Sequence, residues 1–123
     1  TVHIVYVTSP KSRALQWLSP EQTYDKKSPF LYTQGQAILT RSWIPIQDSP
    51  GIRITYDASV HVPRNMLALM SAENPRKKDP FGDYTFKETN AIPPYLIALA
   101  VGDIKYEKIG KRTGVHAEPG LLI

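Results

Sequence analysis

At 123 residues the chain is the size of one domain, long enough to bury a core and too short for that core plus a separate catalytic unit. A formal charge of +4 is spread along the sequence, which argues against a nucleic-acid or membrane-surface patch. The absence of Cys excludes disulfides and thiolate chemistry, and no apolar run approaches the roughly 20 residues of a membrane-spanning helix. Eleven prolines and seven glycines among many Val, Ile, Thr and Tyr predict a mostly β fold broken by turns.

Val2 to Thr8 alternates with apolar residues on both faces and predicts an interior strand, which implies neighbouring strands upstream. Ser9-Pro10 breaks it, and Arg13 to Leu18 reads as a packed connection with Trp17 as a core plug. After a polar turn at Asp25 to Pro29, Phe30 to Gln36 predicts a strand. On a strand, residues two apart share a face, so Gln34 and Gln36 project together with Gly35 between them. An amide carbonyl is a neutral acceptor that can hold an ammonium group, and Gly35 leaves room for another backbone, a combination suited to a peptide amino terminus. The same glutamines also read as solvated residues on a half-exposed strand.

Arg41 and Asp48 flank the bend Ile44-Pro45-Ile46-Gln47, and a salt bridge or backbone contacts between them would shape the loop under the glutamines. Gly51 to Val62 predicts a strand with Ile52, Ile54, Tyr56, Ala58, Val60 and Val62 toward the core and the intervening residues in water. A turn at Pro63 to Asn65 leads to Met66–Ala72 as its antiparallel hairpin partner. The run Arg76-Lys77-Lys78, between Pro75 and Pro80, reads as a solvated loop. Asp83 to Thr89 alternates, Tyr95 to Val101 is apolar on both faces and predicts a central strand, and Gly102-Asp103 bends the chain before Ile104 to Ile109. Gly110-Lys111-Arg112-Thr113-Gly114 lacks the spacing of a phosphate loop and reads as a strand-linking turn. The tail, about 110 to 123, suits a segment leaving this domain.

No metal-ligand spacing appears: His3, His61 and His116 stand far apart, and there is no HExxH. A nucleophile elbow and a dinucleotide fingerprint are equally lacking.

One run changes the reading. Gln34-Gly35-Gln36-Ala37, then Arg41, then Ile44-Pro45-x-Gln47-Asp48-x-Pro50, resembles the amino-terminal domain of the zinc aminopeptidases, in the leukotriene-A4 hydrolase branch. Further matching pieces follow the family's order: Ser9-Pro10-Lys11-Ser12 with Ala14 to Leu18 and Pro20 to Thr23; Val62-Pro63; Ala68 to Ala72; and Pro94 to Leu99. The resemblance implies a saddle-like, antiparallel or mixed β-sandwich, with residues 1–123 an incomplete domain and the tail leading toward a catalytic domain. It implies that Gln36 bonds the free α-amine of a peptide substrate, with Gln34 beside it and Gly35 and Ala37 lining the approach. Many relatives have Glu where this chain has Gln36, and the leukotriene-A4 hydrolase branch has Gln. Zinc is expected in the catalytic domain, so this segment carries no catalytic residue and would be inactive alone. The alternative is a noncatalytic β-sandwich interaction module that binds a partner through a sheet edge or a basic loop. The compartment stays open between cytoplasm and periplasm.

Overall fold

The computed structural model describes residues 1–122. Its strands are β1 (Leu15–Leu18), β2 (Phe30–Thr33), β3 (Ile54–His61), β4 (Leu67–Met70), β5 (Asp83–Ile92), β6 (Leu99–Gly102), β7 (Lys105–Lys108) and β8 (Gly114–Ala117). They form a four-stranded sheet in the order β1-β2-β6-β4, a β3-β5 ribbon and a β7-β8 hairpin, and every described pairing is antiparallel. The mostly β expectation is met.

The core lies between the ribbon and the β4-β6 part of the sheet. Val62, Leu67, Ala68, Met70, Tyr84, Phe86, Ile97 and Ile104 form one buried cluster, against which Ile54, Tyr56, Ala58 and Val60 of β3 pack. The period-2 pattern of β3 is realised as a half-buried inner face and an exposed outer one. β5 repeats it, burying Tyr84 and Phe86 while Thr85 and Lys87 face water. β6 is a central strand of its sheet, flanked by β2 on one edge and β4 on the other.

The expected β3-β4 hairpin does not form. β3 pairs with β5, from Tyr56 opposite Glu88 to His61 opposite Asp83. A strand beside β3 must also be wet on one face, and β5 meets that condition. Leu67–Met70 offers no wet face, so β4 crosses to the other layer and pairs with β6. Gly82 permits the crossover: its φ is +79°, and a Cβ there would collide with Val62 O, whose own N–H bonds Gly82 O at 2.9 Å. Tyr84 then ties the turn together, donating its hydroxyl to Met66 O at 2.7 Å and accepting from Asp79 N at 2.8 Å.

Two further expectations are corrected. Val2 to Thr8 is not an interior strand: it pairs with none of the described strands, and Val2, Val5 and Val7 are exposed. An apolar pattern becomes a strand only where another surface covers it, and within this chain none does. Arg13 to Leu18 contains strand β1, and Trp17, expected in the core, is 61% exposed on this outermost strand of the sheet. The run Arg76-Lys77-Lys78 is an exposed loop, as expected, in which Lys78 pairs with Asp103 and the Arg76 guanidinium lies 5.0 Å above the Tyr106 ring.

The Gly110–Gly114 stretch does link strands, joining β7 to β8 with Ile109 N bonded to Thr113 O at 3.1 Å. Beyond β8 a short 3-10 turn, Pro119–Leu121, returns to the 24–25 region. Glu118 Oε2 accepts from Tyr24 N at 3.0 Å, and Gly120 N donates to Asp25 Oδ2 at 3.3 Å. Ile123, the last residue of the tail, lies outside the described residues.

Candidate functional site

The glutamine run sits where the four-stranded sheet gives out. β2 stops at Thr33, whose Oγ1 accepts the Leu99 N–H at 3.0 Å. Gln34 still donates its backbone N–H to Ala14 O at 2.9 Å, and then the chain turns. Gly35 causes the departure: it is buried, and a Cβ there would lie 2.6 Å from Thr40 Oγ1 and 3.0 Å from Tyr95 O. Glycine is the residue that lets these backbones close up.

The pair is therefore not two neighbours on one strand. Gln36 begins a turn over residues 36–39, and the Gln36–Ala37 peptide bond is cis. The Gln34 carbonyl oxygen folds back and accepts the Gln36 backbone N–H at 3.0 Å. One amide is thus spent on the loop's own shape. The other is free: among the described residues the Gln36 side chain has no hydrogen-bond partner, and Gln34, Gln36 and Ala37 are all exposed.

Below them the loop is pinned at several points. Thr40 is fully buried and donates its hydroxyl to Pro94 O at 3.0 Å. Leu39 N bonds Gly35 O at 2.9 Å, and Ser42 Oγ accepts from Ala14 N at 3.1 Å while lying 2.9 Å from Ser12 Oγ. Arg41 and Asp48 meet across the bend, with Arg41 N donating to Asp48 Oδ2 at 3.0 Å and Arg41 Nη2 to Asp48 O at 2.9 Å. The Asp48 side chain is 1% exposed and that of Arg41 57%, so the carboxylate is the structural half of the pair. Asp48 Oδ1 and Trp43 Nε1 are buried without a partner among the described residues.

Thr40, Pro94 and Tyr95 were not singled out as supports of this loop. The contact spans 54 positions, and no local pattern announces it.

Two cavities lie elsewhere. An open groove of about 880 Å³ runs between the outer face of the β3-β5 ribbon and the 73–80 loop, and a pocket of about 590 Å³ lies between residues 76–78 and β7. Neither is lined by Gln34 to Ala37, and Gln34, Gln36 and Ala37 lie exposed on the surface. Among the described residues no three His, Asp or Glu side chains come together to hold a metal. His61 is exposed and paired with Asp83 at 2.6 Å, and His116 stacks on Tyr106 with ring centroids 4.9 Å apart.

Comparison with known proteins gives this geometry its family. The Peptidase M1 N-terminal domain matches residues 1–96. The chain belongs to the M1 peptidase family. This M1 amino-terminal segment is 47% identical over 126 residues to leukotriene A-4 hydrolase of Xenopus laevis, covering 98% of the chain and 21% of that protein. It is also 47% identical over 106 residues to mouse aminopeptidase B, covering 86% of the chain and 16% of that protein. Among solved structures, native yeast LTA4 hydrolase superposes with a TM-score of 0.83 at 36% identity, over 94% of this chain and 18% of the yeast chain. The yeast LTA4 hydrolase complex with bestatin gives 0.82 at 37% identity, over 94% and 17%. The M1 segment thus spans about a fifth or less of the length of the relatives it matches.

Proposed function

We propose that this domain forms one wall of the substrate cleft of a zinc aminopeptidase similar to leukotriene-A4 hydrolase, and that Gln36 accepts a hydrogen bond there from the free α-amine of a peptide. The observation that carries the reading is the division of labour between the two amides. Gln34 is consumed in holding the turn, while Gln36 stays exposed and unpartnered on a loop anchored from below by Gly35 and Thr40. An anchored loop keeps the free carbonyl oriented, so little ordering entropy is lost when an ammonium group arrives. Gly35 and Ala37 add no bulk on either side of Gln36. The reaction belongs to a zinc-bearing catalytic domain outside these residues.

A hydrogen bond to a charged group contributes about 1.5–3 kcal/mol net, so Gln36→Ala should lower kcat/KM for aminoacyl substrates roughly 10- to 100-fold in the complete enzyme. Gln34→Ala acts only through the loop and should lower it less. Wild-type turnover by the Gln36→Ala enzyme would remove the role. The 123-residue chain by itself should cleave no aminoacyl substrate and retain no stoichiometric zinc. Family membership favours this reading over an interaction module that works through a sheet edge.

A further inference from the structure

The most concentrated charge in the molecule is remote from the glutamine loop. Arg76, Lys77 and Lys78 form one side of the pocket of about 590 Å³, and Lys105 of β7 lies across from them. Ile104, Tyr106 and Pro119 complete its lining, and no carboxylate is among the lining residues. Asp103 neutralises Lys78, which leaves the positive charges of Arg76, Lys77 and Lys105 facing one cavity. Like charges brought together repel, and an anion between them converts that cost into attraction.

One of these exposed side chains, Arg76, is held in place. The Arg76 guanidinium is seated 5.0 Å over the face of Tyr106. Tyr106 is backed in turn by His116, whose Nε2 lies 3.1 Å from Pro75 O, so the ring behind Tyr106 is tied to the residue that precedes Arg76. Arg76 is thereby presented as an oriented fork, and two lysines add point charges beside it. A planar fork flanked by ammonium groups matches phosphoryl oxygens, which accept in pairs. The volume suits a small molecule, since ligand pockets run from about 300 to 1,000 Å³.

We propose that this pocket is a binding site for a small, multiply charged phosphate anion, with Arg76 as its bidentate anchor and Lys77 and Lys105 as flanking charges. The site is independent of the role given to Gln36. Isothermal titration of the protein with inorganic pyrophosphate at low salt tests it. One saturable site per chain is expected, weakened about 10-fold or more by Arg76→Gln and separately by Lys105→Gln. Lys11→Gln and Lys108→Gln, which remove exposed charges that do not line the pocket, should leave the affinity unchanged. Lys105 lies exposed on its strand, so its variant keeps the test open should Arg76→Gln disturb the loop. Absence of saturable binding overturns the proposal. So does equal weakening by all four variants, which would mark diffuse attraction to a +4 chain, or a single-stranded oligonucleotide that binds more tightly than pyrophosphate and ignores Arg76→Gln.

Discussion

Gly35→Ala would place a methyl carbon 2.6 Å from Thr40 Oγ1, 3.0 Å from Tyr95 O and 3.2 Å from Tyr95 Cα. Two of these neighbours are backbone atoms of the Pro94–Leu96 turn, and the third belongs to a fully buried side chain. Overpacking a tight site costs about 1–3 kcal/mol. Should Thr40 rotate away instead, its hydroxyl leaves Pro94 O, and an unsatisfied buried acceptor costs about 1–3 kcal/mol. The two routes partly replace each other, so we expect a loss of about 2–4 kcal/mol. For a domain of this size that corresponds to a fall in Tm of about 6–15 °C. Urea unfolding of the wild type, Gly35→Ala, Thr40→Ala and the double variant measures it. In the Thr40→Ala background the nearest obstacle is gone, so the cost of Gly35→Ala should drop to about half. A cost below about 0.5 kcal/mol, or an identical cost in both backgrounds, would refute the claim that Gly35 is demanded by close approach to Thr40.

Tyr84→Phe deletes a hydroxyl that bonds both Met66 O and Asp79 N, and should lower unfolding stability by about 1–3 kcal/mol; an unchanged denaturation midpoint would contradict it. Asp48→Asn should destabilise by about 1–3 kcal/mol, and Arg41→Met, whose head is mostly in water, by less than about 1. The reverse order in denaturant melts, or no effect of either, would show that the pair does not hold the bend. The N–H groups of Asp83 and Phe81 hold the Asp79 carboxyl below its ordinary value of 3.8. Its contribution to stability is therefore full above that unfolded value and is lost as pH falls through the lower folded one. A carboxyl-carbon NMR titration in which Asp79 titrates at or above the ordinary value would contradict this.

What could be read in the sequence follows from how local each signal is. β3 and the first part of β5 have one wet face, so alternation alone reveals them. The apolar run Tyr95 to Val101 revealed a central strand but not its start: Tyr95 and Leu96 lie in the 3-10 turn Pro94–Leu96, and β6 begins only at Leu99. Partner choice was not legible: the Pro63–Asn65 turn looks like a hairpin, but the doubly apolar Leu67–Met70 can find cover only beside β6. The glutamine loop failed for a similar reason. Phe30 to Gln36 carries a continuous strand pattern, and what ends it at Thr33 is the close approach of Gly35 to Tyr95, sixty residues away in sequence. Trp17 was misread because size predicts burial only where a facing surface exists, and β1 lies at the border of its sheet.

The pairing of one protein amide with one substrate amine is measured most directly by a double-mutant cycle. In the complete enzyme, inhibition constants for an amino-acid amide and for its analogue lacking the α-amine would be determined with wild type and with Gln36→Ala. A coupling of about 1.5–3 kcal/mol between the side chain and the amine is expected. Equal discrimination between the two ligands by both enzymes, which is zero coupling, would contradict the account.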